Sequence, residues 1–234
     1  YAPALQRFAS KHGPLVMAEA AERELRLELA RLVKAGTLQV EPHEGWLTTE
    51  EDFEALGDPP WRMDRFYRGV RQRTGILMED GAPVGGRYSF DGDNRERWKG
   101  EPAAPEPPTF PSDPIKDEVV ALVQERFAKH PGTLDPSTLP VTRADAEALW
   151  SWALAQCLEA FGPYEDAMSR DASQLFHTRT AELVNLHRLL PQRLIDDVLA
   201  NGDRSRLWVL LGGVLVAVII QSATSYALTM LMSV

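Results

Sequence analysis

The stretch from residue 61 to residue 97, WRMDRFYRGVRQRTGILMEDGAPVGGRYSFDGDNRER, decides how the rest of the chain is interpreted. In its first part Arg62, Arg65 and Arg68 recur at helical spacing around Phe66 and Tyr67. Because residues three and four positions apart share one face of a helix, this part predicts a helix with a charged and aromatic face. Such a face suits either a local DNA contact or, more commonly, a solvated surface.

The second part of the stretch predicts a hairpin. An apolar run over residues 76–78 is followed by the turn Asp80-Gly81. Asp-Gly between two semi-apolar runs is a hairpin signal. Gly85 and Gly86 permit a positive φ or a close approach of the backbone to another group. From these residues alone, a surface helix followed by a hairpin is the favoured interpretation.

The region before this stretch predicts part of a parallel sheet. Residues 14–18 and 37–40 are short apolar runs of strand type, and residues 20–34 between them carry a helical apolar stripe. A strand, a helix and a strand at this spacing are typical of α/β folds. Thr49, followed by three acidic residues, predicts the start of another helix. We therefore expect an α/β fold over residues 1–98.

The region after the stretch predicts an all-α part. Residues 99–114 form a proline-rich linker, which neither helix nor sheet accommodates. Helical stripes follow within residues 115–200. Trp150 and Trp152 lie on one of these helices, where tryptophans usually belong to the core and only rarely take part in electron transfer.

Composition excludes several classes of protein. The 234 residues are enough for one large or two small domains, and the net charge of −9 disfavours a nucleic-acid binder that uses its whole surface. The single cysteine, Cys157, excludes an internal disulfide and a site built from several cysteines. Its apolar neighbours predict a buried thiol. The chain begins at Tyr1 rather than at a methionine, and we expect it to be a fragment.

Residues 66–95 also carry a longer pattern, FYR-x-x-R-x-x-TGILM-x-x-G-x-PVGG-x-x-SFD-x-x-NR. It resembles the photolyase-related branch of the photolyase/cryptochrome superfamily, whose members are bacterial flavoproteins with an iron–sulfur cluster. The resemblance extends over most of residues 1–200. It implies an FAD-dependent lyase of the deoxyribodipyrimidine photolyase type that repairs DNA photolesions with light. The first half of the family's α/β domain has no counterpart, so an antenna chromophore is not expected.

A second pattern of the same branch lies at residues 161–191, FGPYEDAMSRDASQLFHTRTAELVNLHRLLP. It resembles the start of the family's flavin-binding helical domain. The resemblance implies a set of FAD contacts: Tyr164, His177, Thr178, Arg179 and Asn185. Hydroxyl groups and an arginine suit a pyrophosphate. Ala181 stands where the family has a second serine, and His187 stands where it has a glycine.

The last residues do not fit this family. Residues 207–234 carry no charge, which predicts an apolar, membrane-spanning helix. Arg204 and Arg206 precede it, and the positive-inside rule then places the rest of the chain in the cytoplasm. The segment also resembles a repeat of sodium/phosphate cotransporter-type membrane proteins, although a generic apolar helix is an equal explanation. A real fusion or a shifted reading frame near Asn201-Gly202 would explain the junction.

The sequence leaves three functions open. The leading hypothesis is a fragment of a photolyase-like flavoprotein with little repair activity of its own, since the cysteines for the family's cluster are absent. The second is a non-catalytic, membrane-anchored binding protein. The third is a flavin photosensor with the same residues. We expect DNA as the partner of the intact family and predict neither the catalytic residues nor the oligomeric state.

Overall fold

The chain divides into two compact units within the part that the computed structural model describes, residues 1–90 and 92–201, the last two by backbone only. The first unit contains residues 1–76 and the second begins at Leu77. The predicted apolar helix over residues 207–234, and Arg204 and Arg206 before it, lie outside the described residues. Within the described part, no helix is long and apolar enough to cross a membrane.

The first unit begins with the predicted strand, helix and strand. The elements are α1 (Ala2–His12), β1 (Leu15–Ala18), α2 (Arg23–Lys34) and β2 (Leu38–Glu41). The two strands pair in parallel, with Leu15 opposite Leu38 and Ala18 opposite Glu41. This confirms the predicted parallel α/β arrangement.

The core of this part lies between α2 and the sheet. Leu29, Leu32 and Leu38 are buried together. Leu29 and Leu32 come from one face of α2, as the helical spacing requires. Leu38 opens β2 and is only 2% exposed. The apolar stripe on α2 thus holds the helix against the strand that follows it.

Two further helices lie in the first unit: α3 (Glu50–Glu54) and α4 (Met63–Thr74). The predicted start of α3 is confirmed, because Thr49 and Asp52 form a reciprocal capping box. The backbone N–H of Thr49 donates to the Asp52 carboxylate at 2.9 Å. Arg73 of α4 donates to the same carboxylate at 2.7 Å, which ties the two helices together.

The predicted helix over the arginine-rich residues is confirmed as α4, but its aromatic face is not on the surface. Phe66 and Tyr67 are 5% and 7% exposed, whereas Arg62, Arg65 and Arg68 are exposed. The prediction that one face offers both charge and aromatic rings is therefore wrong. Burial of large rings is favourable, so the helix turns them inward and leaves the arginines in water.

The second unit starts with the predicted hairpin, formed by β3 (Met78–Glu79) and β4 (Ala82–Pro83) in antiparallel pairing. Asp80 and Gly81 in the turn both have positive φ, 48° and 77°. Two left-handed residues in succession define the tight turn that Asp-Gly favours.

The longer regular elements in the described remainder of the second unit are helices. They are α5 (Pro114–Arg126), α6 (Arg143–Trp152), α7 (Leu158–Tyr164), α8 (Ala181–Asn185) and α9 (Pro191–Asn201). A π-helical turn, Ala153–Cys157, joins α6 to α7. The described fold is therefore rich in helix with a small parallel sheet. The proposed division into residues 1–98, 99–114 and 115–200 stays a prediction.

Trp150 lies at the centre of the helical core. It is 2% exposed and packs in one cluster with Leu149, Leu183 and Leu194. Its indole Nε1–H donates to the Asp197 carboxylate at 2.7 Å. Because a buried indole N–H needs an acceptor, α6 and α9 are joined by this bond as well as by apolar contact. The core role predicted for Trp150 is confirmed.

The proline-rich linker has no helix or strand between residues 101 and 113, as predicted. It is nevertheless fastened to the helical unit. Phe110 is 7% exposed within the helical core, and its N–H donates to the carbonyl oxygen of Ser137 at 2.7 Å. The Nζ of Lys116 donates to the carbonyl oxygen of Pro111 at 3.3 Å. The linker is therefore extended, and it is held to the helical unit by the packing of Phe110 and by these hydrogen bonds.

The apolar stripe predicted on α5 is only partly buried. Val119 and Phe127 are 51% exposed, and Val120 and Val123 are half-buried. The fully buried side chain of α5 is that of Lys116. Within the described residues this helix is held by a buried cation rather than by its apolar face.

Candidate functional site

The segment that joins α7 to α8 carries most of the predicted site residues. Leu175 and Phe176 anchor it, with exposed fractions of 2% and 3%. Leu175 and Arg179 have positive φ, 45° and 57°, which is uncommon for residues with a Cβ. Backbone strain of this kind persists only where the surrounding structure holds it, and it clusters at functional sites.

Thr178 and Thr180 lie on the same side of this segment. Their hydroxyl oxygens are 2.9 Å apart and share a hydrogen bond. Thr180 is 9% exposed and precedes the first residue of α8. That helix has only five residues, so its dipole is small. The paired hydroxyls, rather than a helix dipole, are the polar groups that this part offers. The T-x-T spacing was the signal for Thr180, which the sequence analysis missed.

Arg179 lies between the two threonines in the chain, and only one of the two terminal nitrogens of its guanidinium group is hydrogen-bonded among the described residues. Nη2 donates to the carbonyl oxygen of Thr138 at 3.1 Å. Nη1 is buried and has no hydrogen-bond partner among the described residues. Buried donors are nearly always paired, and a charged one is especially costly to leave unpaired. The arrangement leaves a strong donor for an acceptor such as a phosphate oxygen.

Tyr164 and His177 each contact a phenylalanine ring. The ring of Tyr164 is 5.4 Å from that of Phe176, measured between centroids. The ring of His177 meets that of Phe161 edge to face at 6.3 Å. The Sγ of Cys157 lies 3.9 Å from the carbonyl oxygen of His177. Tyr164, at the end of α7, is thus linked through the ring of Phe176 to the segment that carries His177, Thr178 and Arg179.

Cys157 is buried, as predicted, with an exposed fraction of 0%. Burial raises the pKa of its thiol to about 12. A thiol that stays protonated is a poor nucleophile and a poor metal ligand. The role of this cysteine in the described structure is packing.

Asn185 differs from the other four predicted contacts. It is the last residue of α8 and is exposed. His187, two residues later, has φ 52°. The glycine that stands here in the resembled pattern would adopt this conformation without strain. His187 therefore carries a backbone conformation that suits the family's residue better than its own.

Charged groups beneath the site hold the neighbouring loop. The Nζ of Lys116 donates to the carbonyl oxygen of Leu139 at 3.1 Å. Burial raises the pKa of Asp145, but hydrogen bonds from the N–H groups of Thr142 and Val141 outweigh it and hold this pKa below its usual range. Hydrogen bonds from Ser137 lower the pKa of Asp135. The loop that accepts from Arg179 is thus fixed by ionised groups.

A contact that the sequence analysis did not foresee joins the two family patterns. The amide Nδ2 of Asn94 donates to Oε2 of Glu165 at 2.8 Å. Two backbone bonds flank it: Glu96 N–H to the carbonyl oxygen of Pro163 at 3.0 Å, and Asp166 N–H to that of Asn94 at 3.2 Å. We call these three hydrogen bonds the clasp. Asn94 was visible in the quoted pattern, but its partner 71 residues away was not.

Comparison with known proteins agrees with the first of these patterns. The model of the family described as deoxyribodipyrimidine photo-lyase-related protein matches residues 1–139. The chain belongs to this family. A protein of Agrobacterium fabrum (strain C58 / ATCC 33970) named (6-4) photolyase is 33% identical over 175 residues. That match includes 73% of this chain and 34% of the relative. The chain therefore spans about a third of this photolyase.

The family match includes the pattern that identified the family but not the predicted flavin contacts. It includes the whole of residues 61–97, which identified the photolyase-related family from the sequence. The five predicted flavin contacts lie beyond residue 139 and stay predictions. Neither comparison supports the resemblance of the last residues to a cotransporter-type membrane segment. Within the described residues, no group of histidine, cysteine or acidic side chains is placed to hold a metal ion.

Proposed function

We propose that this chain is part of a light-driven flavoprotein that repairs DNA photolesions, and that residues 164–187 contribute to its FAD site. One observation carries the proposal: the buried Nη1 of Arg179, which has no partner among the described residues. An FAD phosphate would supply the acceptor, in a charge-assisted hydrogen bond.

The neighbouring groups fit the same ligand. The Thr178 and Thr180 hydroxyls, which share one hydrogen bond, retain lone pairs and one free proton between them for a phosphate oxygen. The half-buried ring of Tyr164, which packs on buried Phe176, is the aromatic surface that we assign to the same ligand. A few convergent donors beside aromatic surface are typical of cofactor sites.

In this proposal FAD, when bound, absorbs light and supplies the electron for repair. The residues of this chain bind and orient it. Arg179 bonds a phosphate through Nη1, while its bond to Thr138 keeps the guanidinium in place. Thr178 adds a hydroxyl contact. His177 and Asn185 are exposed, and we assign them contacts at the rim.

The resemblance and the named relative support DNA as the partner of the intact protein. The relative's name specifies (6-4) lesions, and we propose a pyrimidine photoproduct as the lesion class for this protein too. The exposed arginines of α4 suit a phosphate backbone. No observation favours the non-catalytic membrane-anchored protein or the photosensor, which the sequence left open.

Titration of the purified full chain with FAD tests the cofactor proposal. We expect saturable binding, and we expect Arg179→Ala to raise the Kd about 10- to 100-fold because hydrogen bonds to charged groups are strong. Arg188→Ala is the matched control, since Arg188 is exposed and lies three residues beyond the end of α8. Thr178→Val tests the site without disturbing the bond to Thr138. Equal FAD affinity in all variants, or no binding by the wild type, would refute the assignment.

A further inference from the structure

The clasp lies at the point where the segment before the proline-rich connector meets the end of α7. Its side-chain bond, Asn94 Nδ2 to Glu165 Oε2 at 2.8 Å, is partly buried. Its two backbone bonds run in opposite senses, from Glu96 to Pro163 and from Asp166 to Asn94. Residues 94–96 are therefore held against the last turn of α7 and the two residues that follow it.

The clasp surrounds Tyr164. Its bonds reach Pro163, Glu165 and Asp166, which are the residues on both sides of that tyrosine. The Tyr164 hydroxyl itself donates to the carbonyl oxygen of Glu101 at 3.4 Å. Tyr164 is thus fixed by the segment 94–101 at its backbone and at its hydroxyl.

From Tyr164 the contact continues to the polar groups of the site. Its ring packs on Phe176, which is 3% exposed and precedes the sequence His177-Thr178-Arg179. Asn94 does not contact that sequence in the described structure, so any influence on it passes through Tyr164 and Phe176. A packed interior transmits such a displacement because it has few voids to absorb it.

Asn94 is better suited to this task than a charged residue would be. Its side-chain Nδ2 donates to the Glu165 carboxylate, and its backbone carbonyl oxygen accepts from the N–H of Asp166. Its Oδ1 is buried with no hydrogen-bond partner among the described residues. An aspartate at this position would place a second carboxylate against Glu165 and lose the donor. A neutral side chain with an N–H donor therefore fits this position.

We infer that Asn94 is a positioning residue for the flavin site: through the clasp, it sets the position of Tyr164 against Phe176. The inference rests on the proposed FAD site and adds a residue that lies 70 positions before it in the chain. The clasp links the pattern that identifies the family to the pattern that is proposed to bind the cofactor.

The test uses the full chain and two measurements. The first is hydrogen–deuterium exchange without flavin, read at the amides of Glu96 and Asp166, which donate the backbone bonds. The second is FAD affinity together with the visible circular dichroism of the bound flavin at saturation. Asn94→Ala should speed exchange at both amides, weaken FAD binding about three- to tenfold, and alter the dichroism.

Two variants provide controls. Glu165→Gln keeps an acceptor for Asn94 Nδ2 and should retain wild-type FAD affinity and dichroism. Arg95→Ala removes only the ion pair with Asp166, whose partners are 71% and 57% exposed, and it should also match the wild type. If Asn94→Ala does not fold, Glu165→Ala removes the same bond from the other side and takes its place in both measurements.

The outcomes separate this inference from the proposal on which it rests. If the wild type binds FAD but Asn94→Ala has the same affinity and dichroism, with faster exchange at both amides, Asn94 does not position the site and the FAD proposal stands. If exchange is unchanged, the clasp does not depend on Asn94 and the inference fails. If the wild type binds no FAD, the proposed function fails and this inference fails with it.

Discussion

The ring of Phe90 lies directly against the backbone of Gly85. A Cβ added to Gly85 would be 2.7 Å from Cζ of that ring. The guanidinium of Arg87 stacks on the same ring, 4.3 Å from its centroid. The PVGG part of the family pattern therefore needs glycine at this position for close approach as well as for its φ of 77°.

Replacement of Gly85 should consequently cost more than replacement of its neighbour. Gly86 has nearly the same φ, 76°, but nothing lies within 4 Å of a Cβ added there. We expect Gly86→Ala to lower the free energy of unfolding by about 1 kcal/mol from backbone strain. Gly85→Ala should cost about 1 kcal/mol more, because Phe90 must move away from Arg87. Urea denaturation of both variants measures the difference, and equal costs would contradict the close contact.

His187 provides a second test of backbone strain. Its φ of 52° is unfavourable for a residue with a Cβ. We expect His187→Gly to be more stable than His187→Ala by about 1 kcal/mol, because both variants lose the imidazole and only glycine loses the strain. Thermal denaturation of the pair gives the comparison. An alanine variant as stable as the glycine variant would show that the left-handed conformation is not required.

Asp145 should make stability dependent on pH at the acid end. Its carboxylate accepts from the N–H groups of Val141 and Thr142 at 3.1 and 3.0 Å, which help to hold its pKa below the usual value. A lowered folded pKa adds stability above the unfolded value, about 3.9, and that stability is lost as the pH falls through the folded value.

We therefore expect Asp145→Asn to be less stable than the wild type by about 1–2 kcal/mol at pH 7. This difference should shrink below about pH 4, because the carboxylate of the unfolded chain takes up a proton there while the folded carboxylate, whose pKa is lower, still carries its charge. Urea denaturation at pH 7 and pH 3 measures both values. A difference that does not change with pH would show that the charge of Asp145 does not contribute.

Cys157 should be protected from thiol reagents in the folded chain. It is fully buried, and burial raises its pKa to about 12. At pH 8 we expect negligible reaction with a thiol reagent until denaturant unfolds the helical unit, after which the single cysteine reacts fully. Rapid labelling of the native chain would contradict this burial.

The same shift predicts a loss of stability in alkali. The unfolded thiol titrates near pH 8.5, so the unfolded chain loses its proton first and stability falls as the pH rises from there toward the folded pKa. Cys157→Ala removes this dependence. Denaturation of both proteins at pH 7 and pH 10 should show a larger loss in the wild type.

Local signals in the sequence predicted much of the fold. The Asp80-Gly81 turn, the cap at Thr49 and the strand–helix–strand order all appear in the structure. Each depends on residues close in the chain, whose conformational preferences act locally. The family could also be predicted from the sequence, because the pattern in residues 61–97 specifies many positions at once. The family model, which matches residues 1–139, confirms it.

Predictions that depended on burial were less successful. The sequence placed Phe66 and Tyr67 on a surface with the arginines, and the structure buries both rings. It also did not foresee that α5 would be held by buried Lys116. Helical spacing shows which residues share a face but not what covers that face, since burial is decided by elements far away in the chain.

The sequence by itself determined the family, the order of strands and helices, and the glycines that their turns require. Only the tertiary structure showed that Asn94 bonds to Glu165, that Arg179 has one buried nitrogen without a partner among the described residues, and that Phe90 covers Gly85. The physical reason is the separation along the chain between the residues that interact. Turns and caps are specified by neighbours in the chain, whereas a hydrogen bond across 71 residues depends on the packing of every element between them.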